Sequence, residues 1–489
     1  MIDMLLMLKH RGPDSCGIAT SRGVTTAQSP DALDISDLSD YMALGHDGLL
    51  ITRDQFIPQP LTNPEKSSFL ALDGEIYNVK DATELNLSSE EIDTFPSSKL
   101  LFHLIERHSN NLLAGLSDIL PKIYGDYAFA VMEKNQIFIA SDVMGVKPLY
   151  WSENEDYVAF ASEKKPLWNF GLTNVSTFQP GNLAVINNKG VHLHRIQSLL
   201  HPEIIDVRLD EAVTKLRELL FLSLKRRLNR LKVSPIAVSF SGGLDSSLVA
   251  KALDMLGKKV ILYAVGLDEA HDLQAAEYAA SELNLPLRVR ILSPDEIESY
   301  MSKVVYAIED VDLMKTGVGI PFYAACEFVN KDKMRVILTG QGSDEIFAGY
   351  DKYLRVLINQ GYDQLQNELW MDLTQMHQVN LQRDDAIAMA NSIELGCPFL
   401  DLDLVNAAMS INPRLKIAGP TDLLRKRVLR EVAKSVGLSQ FIVDKPKKSI
   451  QYGSGSEKAI RQLAKSKGFK DPRKFINSVF KQIFTPSSI

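Results

Sequence analysis

Cysteine is scarce in this chain. Cys16, Cys326 and Cys397 are the only three in 489 residues, with no CxxC pair and no metal-ligand spacing. That excludes a disulfide scaffold and a structural zinc site, and it suits a reducing compartment. No apolar run reaches the roughly 20 residues that a membrane-spanning helix needs. The opening MIDMLLMLKHRGPD holds an apolar stretch too short and wrongly flanked for a signal peptide. A cytoplasmic protein with no membrane partner is therefore expected. Positive charge is not in excess either: 54 Lys and Arg face 61 Asp and Glu, for a formal charge of −7 and a pI near 5.8. A general nucleic-acid surface is excluded on that balance, and no nucleic-acid partner is expected. The GxxxxGK phosphate loop of kinases and GTPases is also absent.

What remains is a globular composition, 45% hydrophobic and 24% charged. The length exceeds one ordinary core, so more than one domain is expected. Residues 1–195 read as a first domain of short strands, among them Met42–Ile51, Phe69–Leu72, Tyr127–Glu133, Gln136–Ser141, Tyr157–Ala161, Leu183–Asn187 and Val191–Arg195. Asp73-Gly74, Gly125-Asp126, Gln179-Pro180-Gly181 and Asn188-Lys189-Gly190 read as turns between them. A helix is expected at Ser97–Arg107, so this half is an α+β sandwich. Residues 196–209 read as a linker, 210–470 as a second domain and 471–489 as a tail.

The second domain is organised around Pro235–Leu248, PIAVSFSGGLDSSL. A β-branched apolar run ends in Ser241-Gly242-Gly243-Leu244-Asp245-Ser246-Ser247, and a helical pattern follows. Strand, glycine turn and helix start aim free N–H groups at an anion, and Ser241, Ser246 and Ser247 add hydroxyls. Asp245 suits a polyphosphate only with a Mg²⁺ between them. Further strands at Val260–Leu267, Leu287–Leu292 and Arg335–Thr339 alternate with helices, which predicts a parallel, doubly wound sheet. Its ligand site should lie beyond the strands' C-terminal ends. There the fourth strand runs into Thr339-Gly340-Gln341-Gly342-Ser343-Asp344-Glu345. Two glycines and two carboxylates suit a second wall for magnesium and nucleotide.

SGGLDSS resembles the pyrophosphate loop of enzymes that split ATP between its α- and β-phosphates. Five phrases in the first half narrow the family: His10-Arg11-Gly12-Pro13-Asp14, DGEIYN from Asp73, YGDYAFAV from Tyr124, GVKPLYW from Gly145 and FASEKKPL from Phe160. In this order, ahead of SGGLDSS, they resemble asparagine synthetase of the glutamine-hydrolysing, archaeal-like type. The resemblance implies an Ntn-hydrolase-like glutaminase sandwich, then an ATP-pyrophosphatase domain. It implies ATP and aspartate as substrates, with a β-aspartyl adenylate between them and asparagine, AMP and pyrophosphate. Phe240, Val265 and Gly266 would flank the adenine and ribose, and Thr339 and Gly340 would line the nucleotide. Asp344 would join Asp245 on Mg²⁺. Gln341, where the family often has glutamate, Glu345, and Lys447 in Asp444-Lys445-Pro446-Lys447-Lys448 are the catalytic candidates. Arg383 and Asp384 would shape the aspartate pocket or form a structural ion pair, and a homodimer is possible by analogy.

The first half departs from the family. Its nucleophile is an N-terminal cysteine, whereas this chain reads Met1-Ile2-Asp3, and the family's first strand is not matched. Cys16 lies after HRGPD and reads as packing. Gly48 stands where an arginine grips the glutamine carboxylate, and Asp73 where an asparagine forms the oxyanion hole. Ser98 stands where an acid holds the α-amine; of the set around Gly74, Glu75 remains. A degenerate glutamine site, with ammonia favoured over glutamine, is the expectation. A β-lactam-synthetase-like adenylating ligase and a non-catalytic nucleotide-binding homologue are the alternatives.

Overall fold

The first 195 residues form antiparallel strands: β1 (Ser15–Thr20), β2 (Gly23–Ala27), β3 (Leu44–Gly48), β4 (Leu61–Thr62), β5 (Ser68–Val79), β6 (Ile123–Glu133), β7 (Gln136–Ser141), β8 (Tyr150–Glu153), β9 (Val158–Ala161), β10 (Ser176–Thr177), β11 (Asn182–Asn187) and β12 (Gly190–Arg195). The structure is a computed structural model that describes residues 1–51, 56–107, 111–267, 271–447 and 455–484. Six strands form one sheet in the order β12-β11-β7-β6-β5-β4, and the rest form two three-stranded sheets, β2-β1-β3 and β10-β8-β9. One face of the six-stranded sheet buries Leu70, Leu72, Phe129 and Val131 against Leu100, Leu101, Leu104 and Leu116 of two helices. The other face packs Phe69, Ala128, Ala130 and Ile139 against Ala19 and Leu44 of one smaller sheet and Leu149 just before β8.

Two expected turns are strand interior instead. β5 runs straight through Asp73-Gly74 and β6 through Gly125-Asp126, and the two segments pair, Gly74 opposite Tyr127 and Ile76 opposite Gly125. A Cβ on Gly74 would lie 2.0 Å from the Asp126 carbonyl oxygen, and one on Gly125 would lie 2.3 Å from that of Glu75. These glycines serve close backbone approach, not reversal of the chain.

The second half begins with the Leu209–Leu231 helix, then alternates strands and helices. β13 (Ile236–Ser239), β14 (Val260–Leu267), β15 (Leu287–Leu292), β16 (Val336–Leu338) and β17 (Glu394–Gly396) form a parallel sheet in the order β15-β14-β13-β16-β17. The sequence reading missed β17, because three residues without a β-branched run carry no periodic signal. Strand order reverses between β13 and β16. Their C-terminal ends are the SGGLDSS and TGQGSDE segments, which places both at the crevice where doubly wound sheets bind ligands. Among the described residues, no helix is long and apolar enough to cross a membrane.

Candidate active site

The loop after β13 turns at Gly242, whose φ is +62°. A Cβ there would lie 2.4 Å from the Ala275 carbonyl oxygen on the neighbouring helix, so this glycine serves turning and packing. Gly243 is the one that opens the cavity, since a Cβ on it would meet nothing closer than Ser241 Oγ at 3.2 Å. Leu244–Met255 follows as a helix with Asp245 in its first turn. Gly340 lets the β16 loop press on this turn, because a Cβ at Gly340 would lie 2.8 Å from the Cβ of Asp245. Gly340→Ala must push Asp245 aside. A loss of about 10²-fold in the turnover this cavity supports is expected, since misplacement by ~1 Å costs that much, and steady-state kinetics check it.

Phe240, Ser241, Gly243, Asp245, Ser246, Val265, Thr339, Gly340, Gln341, Asp344, Arg383, Asp384 and Lys447 all border one cavity. Four expected members do not. Gly242 faces the adjacent helix, and Gly266 is buried outside the lining. Ser247 is fully buried on the inner side of its helix, with no hydrogen-bond partner for its hydroxyl among the described residues. Glu345, expected to be catalytic, lies behind the wall, where it accepts from Tyr350 Oη and Asn380 Nδ2, each at 2.7 Å.

Burial, reinforced by Asp344, pushes the Glu345 carboxyl up from 4.5 to about 7. The folded chain therefore keeps a proton that the unfolded chain has already lost between these two values. Stability falls as pH rises through that window and stays lower above it. Glu345→Gln should remove up to about 3 kcal/mol of this dependence, read from urea unfolding across the pH range.

The carboxylates of Asp245 and Asp344 converge on a residue that the sequence reading missed. Lys426 Nζ lies 2.7 Å from Asp245 Oδ1 and 2.7 Å from Asp344 Oδ1, and it donates to Ser343 Oγ at 2.8 Å. Lys447 Nζ lies 2.7 Å from Asp344 Oδ2 and 3.6 Å from Asp245 Oδ2. Burial alone would raise the Asp344 carboxyl, but Lys426 and Lys447 outweigh it and hold it near 2. Lys445 Nζ donates to the carbonyls of Ser241 and Gly242, both at 3.2 Å, and so draws the basic segment over the loop. Lys448, the last residue of the expected basic segment, lies outside the described residues. Arg383 Nε donates to Asp384 Oδ1 at 2.7 Å, so these two form an ion pair at the cavity wall.

A second cavity, of about 1060 Å³, lies in the first half and gathers Gly48, Asp73, Gly74, Glu75 and Ser98. Every residue from Tyr41 to Leu49 and from Glu153 to Ser162 borders it. A Cβ on Gly48 would lie 2.5 Å from Ser15 Oγ and 3.3 Å from the Phe56 ring. The Asp73 carboxylate is tied to Arg11 at 2.9 Å and Lys147 at 3.5 Å, which hold its pKa well down against burial. Glu75 accepts from Ser97 Oγ. Cys16 is outside this lining, buried in β1, with its thiol raised by burial and by Asp47.

The chain matches the family model described as asparagine synthase over residues 215–363 and 357–484, and the glutamine amidotransferase domain model over residues 1–181. A Methanocaldococcus jannaschii protein provisionally designated asparagine synthetase (glutamine-hydrolyzing) 1 is 35% identical over 522 residues, covering 96% of this chain and 94% of its own. Arabidopsis thaliana asparagine synthetase (glutamine-hydrolyzing) 3 is 28% identical over 473 residues, 93% of this chain and 76% of its own. An Asparagus officinalis asparagine synthetase (glutamine-hydrolyzing) is 27% identical over 446 residues, 88% and 70% respectively. With a synthase match over more than half the chain and this likeness along almost all of it, the protein belongs to the asparagine synthetase family of ATP-dependent ligases.

Proposed function

We propose that this chain forms asparagine from aspartate and ATP with ammonia as the nitrogen donor, and that its first-half cavity does not hydrolyse glutamine. The convergence of Asp245, Asp344, Lys426 and Lys447 beside the opening at Gly243 carries the ligase reading. A β-carboxylate oxygen of aspartate attacks the α-phosphorus, and the bond to pyrophosphate breaks. Lys447 neutralises charge on the departing pyrophosphate. Nitrogen then attacks the acyl carbon of the β-aspartyl adenylate, AMP leaves with the electron pair of the broken C–O bond, and the proton shed by nitrogen passes to the departing phosphate or to water. Gln341 at the wall is neutral, so it can hydrogen-bond an intermediate but not take its proton. Arg383 and Asp384 are assigned to the aspartate end of the cavity.

Magnesium fits this wall. The ion takes oxygen ligands and is held by one or two carboxylates plus substrate phosphates. Asp245 and Asp344 already direct oxygens at one cationic point, the Lys426 ammonium. When bound, the ion would neutralise polyphosphate charge.

Two observations support ammonia. Phe56 and Ser15 crowd position 48, so a carboxylate-gripping side chain there would have to displace them. Asp73 brings an anion where an oxyanion would need a donor, and Arg11 and Lys147 fix it there. Purified protein with Mg·ATP and aspartate should convert isotope-labelled ammonium into labelled asparagine and release no glutamate from glutamine. Equal incorporation from amide-labelled glutamine would overturn the donor assignment.

A further inference from the structure

Before nucleotide arrives, the two carboxylates assigned to the metal already share a cation, and it belongs to the chain. We infer that Lys426 occupies the divalent-cation position in the free enzyme and excludes free metal, so that the ion enters only together with the triphosphate. This rests on the reading of Asp245 and Asp344 as the metal carriers.

Lys426 is held too well to be a passing contact. It is 1% exposed, its backbone is left-handed with φ +51°, and its Nζ meets Asp245, Asp344 and Ser343 within 2.8 Å. The main chain of Gly349 closes over it: a Cβ there would lie 2.2 Å from Lys426 Cε and 1.8 Å from Asp344 Oδ1. The flanking Arg425 donates to the Gly349 carbonyl at 3.0 Å and pairs with Asp351 at 2.7 Å, fixing the segment from its other side.

Charge then decides the order of binding. Asp245 and Asp344 contribute two negative charges, and Lys426 and Lys447 contribute two positive ones, so the cluster is already neutral. Nearby, Arg383 and Asp384 cancel each other, and Lys445 adds further positive charge at the loop carbonyls. A bare divalent ion would add to an environment that is neutral or positive and largely shielded from water, which is unfavourable. A triphosphate reverses the balance. Its oxygens can accept the lysine ammonium, freeing both carboxylates for the metal that the nucleotide carries. The position of Lys426 thus couples metal entry to nucleotide entry without any large motion of the fold.

Manganese serves as the probe, because bound and free Mn²⁺ are distinguished by electron paramagnetic resonance without turnover. The full chain should bind Mn²⁺ weakly alone and tightly with ATP. Lys426→Met should bind Mn²⁺ without nucleotide about tenfold more tightly than the unmodified protein, whereas Lys426→Arg, which keeps the charge, should not. Tight nucleotide-free binding by the unmodified protein overturns the inference and needs no variant. So does a Lys426→Met protein of native circular dichroism that gains no Mn²⁺ affinity. If ATP fails to bring Mn²⁺ to the unmodified protein, it is the assignment of Asp245 and Asp344 that fails, and this inference falls with it.

Discussion

Asp245→Asn is expected to lower AMP formation from aspartate and Mg·ATP by roughly 10²–10³-fold, the size of loss seen when one charge-stabilising group is removed from a reacting centre. The effect should lie in chemistry and nucleotide binding more than in folding. Asp245 is in the first turn of its helix, and the loss of its pairing leaves Lys426 with Asp344 and Ser343 as partners. The contrast with Ser247→Ala makes the result specific. Both residues belong to the same seven-residue string, but Ser247 turns inward and its hydroxyl makes no hydrogen bond among the described residues. Removing a buried hydroxyl that has no partner is neutral or slightly favourable, so Ser247→Ala should keep activity within about twofold. Pyrophosphate-release assays on the two variants, with thermal melts to confirm folding, check both. Equal losses would mean that the loop acts only as a rigid turn.

How far the sequence could be read follows from what each signal depends on. The parallel sheet was legible because Val260–Leu267 is an apolar run and Leu287–Leu292 alternates apolar residues with Arg288 and Arg290, each between turn residues, and both strands occupy those spans. The sandwich was legible, but the full length of its central strand pair, β5 and β6, was not. Glycine usually marks a turn, and nothing local reveals that Gly74 and Gly125 lie inside two strands that pair, Gly74 opposite Tyr127 and Gly125 opposite Ile76. In the candidate site, the residues next to the SGGLDSS and GSDE strings were named, and most reach one cavity. Lys426 was missed for a different reason. In Leu424-Arg425-Lys426-Arg427 it reads as one charge of a solvated basic run, and only the left-handed turn and the chain crossing from Gly349 bury it. Glu345 was misassigned because adjacency to Asp344 in sequence says nothing about side-chain direction. On the short Ser343–Phe347 helix, neighbouring residues point about 100° apart, so one carboxylate lines the cavity and the next is buried behind it.

Arg11→Leu should destabilise the protein by about 3–5 kcal/mol, the cost of leaving buried charges without their partner. Arg11 belongs to HRGPD in the first half, yet its guanidinium meets Asp385 of the second half at 2.8 Å, as well as Asp73 at 2.9 Å and Glu163 at 3.3 Å. Lys147 extends the same network to Glu394 at 2.9 Å, and Lys165 bridges Glu163 to Glu309. Asp385 is 1% exposed and immediately follows the Arg383–Asp384 pair at the cavity wall. If the ligase site borrows its rigidity from this interface, Arg11→Leu should raise the KM for aspartate more than the KM for ATP, in addition to lowering the melting temperature. The first half then has a reason to be kept whether or not it hydrolyses glutamine: without it, Asp385, Glu394 and Glu309 would face the boundary with no cation to meet them. A second half expressed alone should accordingly be poorly soluble or inactive. An isolated second half with full ammonia-dependent activity would show instead that these charges find other partners, and that the interface holds position only in the intact chain.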